Sequence, residues 1–161
     1  IGVRLVGSEM CIRDRYLMWY PGCLALPDLN EWDKDFMQIY IGEDDNWTPP
    51  QPCKELVALM NDKGGNANIE LYPNAFHSFD SPNPLKLWPD AYSWANCKLK
   101  LNGETKKVYD PNNTELDFSD PKARRVAYES CAVKGEVMAG ASPEYQNAAF
   151  EHLATLLPML D

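Results

Sequence analysis

Asp45 and His77 are the two residues whose types and setting suit chemistry. One lies in Gly42-Glu43-Asp44-Asp45-Asn46-Trp47-Thr48-Pro49, the other in Tyr72-Pro73-Asn74-Ala75-Phe76-His77-Ser78-Phe79-Asp80. A carboxylate that accepts a hydrogen bond from one imidazole nitrogen fixes the tautomer and stabilises the imidazolium. The other nitrogen then serves as general base for a Ser or Cys nucleophile. An acid followed by a histidine thus matches the supporting half of a hydrolytic triad.

The flanking elements must bring the two together. Phe36 to Ile41 (FMQIYI) is an apolar, β-branched and aromatic run with the length of a buried strand, and it ends at Gly42. Pro50 to Asn61 reads as a helix, with proline at its start and Gly64-Gly65 just past its end. Ala67 to Tyr72 alternates as a second strand that Pro73 closes. Strand, helix, strand makes a βαβ unit whose parallel strands end on one rim. Open α/β sheets bind ligands there, and an acid after one strand and a histidine after the next both fall on it.

These residues resemble the dienelactone hydrolase family of the α/β-hydrolase superfamily. Gly42, Asp45 and Pro49 keep the family's Gly-x-x-Asp-x-x-x-Pro spacing, and Ala75-Phe76-His77-Ser78-Phe79-Asp80 is similar to its histidine loop. The resemblance covers Tyr16 to Asp161 and is strongest in Tyr16 to Asp80. It implies hydrolysis of a small carboxylic ester or lactone through an acyl-enzyme, without a metal or organic cofactor. Asp45 would be the orienting acid, with Asp44 the alternative, and His77 the base. Trp47 and Phe79, beside them, would line the substrate pocket. The family's chain order is nucleophile, acid, histidine, and the Tyr-Pro-Gly strand of Tyr16 to Gly22 follows the nucleophile elbow. The Ser or Cys is therefore expected upstream of residue 16. No Gly-x-Ser-x-Gly or Cys counterpart occurs here: Gly7-Ser8 and Gly140-Ala141-Ser142-Pro143 lack the flanking glycines, and Ser142 reads as an N-cap.

Plainer readings compete. A histidine at a strand end is often structural, and an Asp-Asp-Asn run is often a solvated turn. Asp44, Asp45, Asp80 and His77 could gather a cation, although no loop has calcium-motif spacing. A non-catalytic binding protein on the same fold is the alternative function.

Residues 1–15 differ from the rest. Their apolar positions are broken by Arg4, Glu9, Arg13, Asp14 and Arg15, unlike a signal peptide. The string resembles translated sequencing-adapter read-through, so 1–15 is expected to be non-native and 16–161 the C-terminal part of one α/β-hydrolase domain. Three sheet strands are evident before the tail, too few for a full doubly wound sheet. An open edge of that kind favours aggregation.

The net charge is −9, with 15 Lys and Arg against 24 Asp and Glu. Excluding 1–15 leaves 12 against 22, or −10. There is no basic patch, which argues against nucleic acid or an anionic membrane as partner, and no apolar run spans a bilayer. With Cys11 set aside, Cys23, Cys53, Cys97 and Cys131 remain, and their spacing fits no zinc site. Four cysteines allow three connectivities. Cys23 and Cys53 both fall near the rim, while Cys97 and Cys131 flank the tail's hairpin and helix. Cys23–Cys53 and Cys97–Cys131 are therefore favoured, which implies a periplasmic or secreted protein. Reduced thiols in the cytoplasm are the alternative.

Beyond Ser81 the pattern loosens. Trp88, Tyr92 and Trp94, near the His77 loop, are read as packing over the sheet edge, with the walling of a substrate pocket as the alternative. Cys97 to Leu101, Asn102-Gly103 and Lys106 to Tyr109 predict a hairpin, and Pro121 to Val133 a helix. Pro143 to Leu160 predicts the closing helix, with Ala149, Leu153, Leu156, Leu157 and Leu160 on one face and His152 at the surface.

Overall fold

A computed structural model describes residues 9–11, 15–30 and 35–159. In chain order the strands are β1 (Glu9–Cys11), β2 (Arg15–Trp19), β3 (Ala25–Asp28), β4 (Phe36–Gly42), β5 (Asn66–Tyr72), β6 (Lys86–Ser93), β7 (Leu99–Asn102), β8 (Val108–Tyr109), β9 (Glu115–Leu116) and β10 (Val133–Ala139). The helices are α1 (Pro50–Asp62), α2 (Pro121–Glu129) and α3 (Pro143–Leu156), with a 3₁₀ turn at Leu157–Met159. The architecture is mixed α/β.

The organising unit is β4-α1-β5. β2, β4 and β5 run parallel, with Trp19 opposite Tyr40 and Gly42 opposite Tyr72. Side chains alternate across the sheet. Met37, Ile39 and Ile41 meet Cys53, Leu56 and Met60 of α1, whose spacing of three and four puts them on one helix face. Ile39 and Ile41 are fully buried, each burial contributing about 1.5–3 kcal/mol. α1 begins at Pro50 and ends at Asp62, and the chain turns away at Gly64, whose φ of 85° suits glycine. Asn61 then bonds both the N–H and the C=O of Ala67, at 2.9 Å each, and so fixes the start of β5.

The opposite sheet face carries Tyr40 and Tyr72, which pack with Ala75, Phe79 and Ala149 of α3. α3 closes this face as its sequence predicts. Ala149 and Leu156 are buried, whereas Leu157 is exposed and Leu160 lies outside the described residues. His152 is half-buried rather than fully at the surface. Its ring stands edge-on to Tyr40 at 5.7 Å, and Nδ1 is buried with no hydrogen-bond partner among the described residues.

The remainder forms two smaller sheets, β3-β7-β8-β9 and the ribbon β10-β6. The hairpin around Asn102-Gly103 is present, and β7 also pairs parallel with β3. The helix expected through Val133 ends at Glu129, because Cys131 is tied to Cys97 and Val133 already pairs with Ser93. Both favoured disulfides form, Cys23–Cys53 and Cys97–Cys131. Most of 1–15, the segment expected to be non-native, lies outside the described residues; within it the β1 backbone pairs antiparallel with β2. No helix among the described residues is long and apolar enough to cross a membrane.

Candidate active site

The parallel register delivers two turns to one rim. β4 ends at Gly42 opposite Tyr72, and the turns that follow are stitched together by Glu43 N–H to Tyr72 C=O at 2.9 Å and Asp44 N–H to Ala75 C=O at 3.1 Å. That approach requires a glycine: a Cβ on residue 42 would sit 2.0 Å from the Ala75 carbonyl oxygen.

Asp45 turns inward and its side chain is fully buried. Oδ1 accepts the backbone N–H groups of Trp47 at 2.9 Å and Thr48 at 2.8 Å. Oδ2 lies 2.9 Å from His77 Nδ1 and 3.1 Å from Thr48 Oγ1. The carboxylate thus uses both oxygens, which holds an otherwise costly buried charge. Asp44, the alternative acid, is exposed, and the carboxylate on His77 Nδ1 is that of Asp45.

His77 is held from behind. Its carbonyl accepts Gly140 N–H at 2.8 Å, and it forms a bridge with Ala139 at the end of β10. Ser78, the next residue, takes a φ of 58°, a conformation that non-glycine residues rarely adopt. Nδ1 faces the carboxylate and, at 3.0 Å, Thr48 Oγ1. These oxygens place the ring proton on Nδ1. The lone pair is then on Nε2, which has no hydrogen-bond partner among the described residues. The Thr48 hydroxyl also lies 3.1 Å from the Tyr20 carbonyl.

Aromatic rings flank the imidazole, Tyr20 at 4.6 Å and Trp47 at 4.9 Å between centroids. Tyr20 is pinned by its hydroxyl to Asp80 at 2.9 Å. Trp47 lies beside the imidazole, but Phe79 cannot line a pocket. It is fully buried against Tyr72, 4.9 Å away, because the backbone turn at Ser78 sends the next side chain into the core.

Thr48, Tyr20 and Asn46 are further residues of the site. Asn46 Nδ2 donates to the Glu136 carbonyl at 3.1 Å, and its Oδ1 accepts Met138 N–H at 2.9 Å. β10 therefore touches both the acid turn and the histidine loop. Of these, only Thr48 left a sequence signal, a hydroxyl three residues past an Asp, the spacing of local side-chain capping. Among the described residues no three His, Cys, Asp or Glu side chains gather into a metal-sized cluster.

No family model, curated protein or solved structure matches this chain. The site must be read from its geometry.

Proposed function

We propose that this chain carries the acid and base of a Ser- or Cys-dependent hydrolase acting on a small carboxylic ester or lactone, of the dienelactone hydrolase type. The observation that carries this reading is the buried Asp45 carboxylate 2.9 Å from His77 Nδ1, with Nε2 unpartnered among the described residues. The nucleophile comes from chain upstream of residue 16 in the parent protein, on the rim where β4 and β5 end.

In that reaction Nε2 takes the proton of the attacking Ser or Cys as its oxygen or sulfur bonds to the carbonyl carbon. The imidazolium is stabilised by Asp45 and returns the proton to the departing alkoxide, leaving an acyl-enzyme. Water then repeats the sequence, and Nε2 relays its proton to the nucleophile as the acid leaves. Thr48 and the two backbone N–H groups keep Asp45 in place through both halves. The two disulfides fit a periplasmic or extracellular setting.

The test is to extend the gene upstream of Tyr16 and assay the resulting protein on 4-nitrophenyl acetate and γ-butyrolactone. His77→Gln should lower kcat by about three orders of magnitude or more, and Asp45→Asn by about two to four. Undiminished turnover in His77→Gln would sink the reading. An upstream elbow without Ser or Cys would point to a binding protein instead.

A further inference from the structure

The imidazole oriented by Asp45 is bordered by aromatic surface that continues outward. Its side chain is 16% exposed, and because Nδ1 is turned onto a buried carboxylate the exposure belongs to the rest of the ring. Trp47 packs on it, and Trp88 lies 6.4 Å beyond Trp47. Trp88 is 41% exposed although it sits in a paired strand, opposite Val137, which is fully buried. Lys86 Nζ covers one of its faces at 3.8 Å. A tryptophan left so open, next to a ring held by a carboxylate, has more use to a ligand than to the core.

Charge restricts the ligand further. Glu43, Asp44 and Glu136 are exposed on the turn and strand that carry and border Trp47. They disfavour an anion, while Lys86 is already engaged with Trp88. A flat, uncharged group suits the remaining π surface.

We propose that Trp47 and Trp88 form a subsite for a planar, uncharged aromatic group, so that the ester served by His77 is one whose acyl or alcohol part carries an aromatic ring. This rests on the hydrolase reading for its role, though the binding surface is independent of catalysis. Trp88 acts as a specificity-determining residue, and Lys86 keeps its indole in place.

The experiment titrates the ¹⁵N-labelled chain with methyl 2-naphthoate, following the tryptophan indole N–H signals, with methyl cyclohexanecarboxylate as the non-aromatic counterpart. The indoles of Trp47 and Trp88 should shift, and methyl 2-naphthoate should bind at least several-fold more tightly. Trp88→Ala and Trp88→Leu, the latter keeping an apolar side chain without a π face, should each weaken binding by about tenfold. Leu87→Ala, one position along and so on the opposite face of β6, should leave it unchanged. Shifts confined to other tryptophans, equal binding of the two esters, or undiminished binding by both Trp88 variants would overturn the proposal. His77→Gln should still bind the probe. If it does while the parent's turnover is indifferent to His77→Gln, the hydrolase reading falls and the subsite stands.

Discussion

Replacing Asp45 with Asn should move a proton on His77 without moving the ring. The two side chains have nearly the same shape, but Asn offers one acceptor and one donor group where Asp offers two acceptors. Oδ1 takes two backbone N–H groups, from Trp47 and Thr48, at 2.9 and 2.8 Å. An amide nitrogen there would set donor against donor twice, so the amide oxygen must keep that place. The NH₂ group then faces His77 Nδ1 and Thr48 Oγ1, where Oδ2 stood at 2.9 and 3.1 Å. To accept from it, Nδ1 must give up its proton, and the neutral imidazole becomes the Nε2–H tautomer. The lost charge-assisted bond contributes about 1.5–3 kcal/mol, partly recovered by the new amide bond, so a net cost of about 1–2 kcal/mol is expected. Long-range ¹H–¹⁵N correlation of the imidazole at about pH 9, above the ordinary histidine range, reads the tautomer directly; urea unfolding reads the cost. The wild type should show protonated Nδ1 and Asp45→Asn protonated Nε2. A wild-type proton on Nε2, or no change in the variant, would refute the argument.

Three further outcomes follow from other parts of the molecule. Gly42→Ala puts a Cβ 2.0 Å from the Ala75 carbonyl oxygen; overpacking of backbone should cost about 3 kcal/mol or more in urea unfolding, and tolerance of alanine would show that the two turns do not need their close approach. Dithiothreitol under native conditions should reduce Cys97–Cys131 first, since Cys131 is partly exposed whereas Cys23 and Cys53 are both buried; mass mapping of alkylated cysteines checks the order, and Cys97→Ser with Cys131→Ser should lose about 3–4 kcal/mol if its 34-residue loop is relaxed in the unfolded chain. Burial, with the Glu70 carboxylate alongside, pushes the Tyr40 phenol up to about 12 and raises Tyr72 as well. The folded state then holds protons that the unfolded chain has released, so stability is intact below about pH 10 and falls as pH climbs toward 12. Tyr40→Phe, which also removes a buried hydroxyl without a partner among the described residues, should flatten that fall in pH-dependent unfolding; an unchanged slope would contradict it.

The parts of the fold readable from the sequence are those where burial is one-sided or complete. Met37, Ile39 and Ile41 are buried against α1 while Tyr40 is buried under α3, so β4 shows as an unbroken apolar run. The order acid then histidine followed from two such strands in parallel. β6 and β10 were not legible because β6 is largely exposed and carries Pro89, while β10 mixes exposed and buried positions without a regular alternation and has an irregular register between Gly135 and Val137. β3, with Pro27 inside it, was hidden for the same reason. At the site, Asp45 and His77 could be paired from the strand order together with the flanking spacing of the family they resemble. Phe79 could not be placed, since a positive φ at Ser78 decides which way it points. Tyr20 and Asn46 meet the site over separations no local pattern records.

The clamp from Asn46 to Met138 spans 92 residues. It makes assembly of the rim a late event in folding, because long loops must close before such contacts are rewarded. Cys97–Cys131 lies inside that loop and bypasses 34 residues of it. The shortening favours closure by only about 0.4 kcal/mol, as closure entropy grows with the logarithm of length. Oxidation therefore hardly speeds the search of β10 for Asn46. Its service is local: it ties down the residue two positions before β10, so that the strand arrives already anchored at one end. The acid and the histidine are set to their final separation when the other end docks.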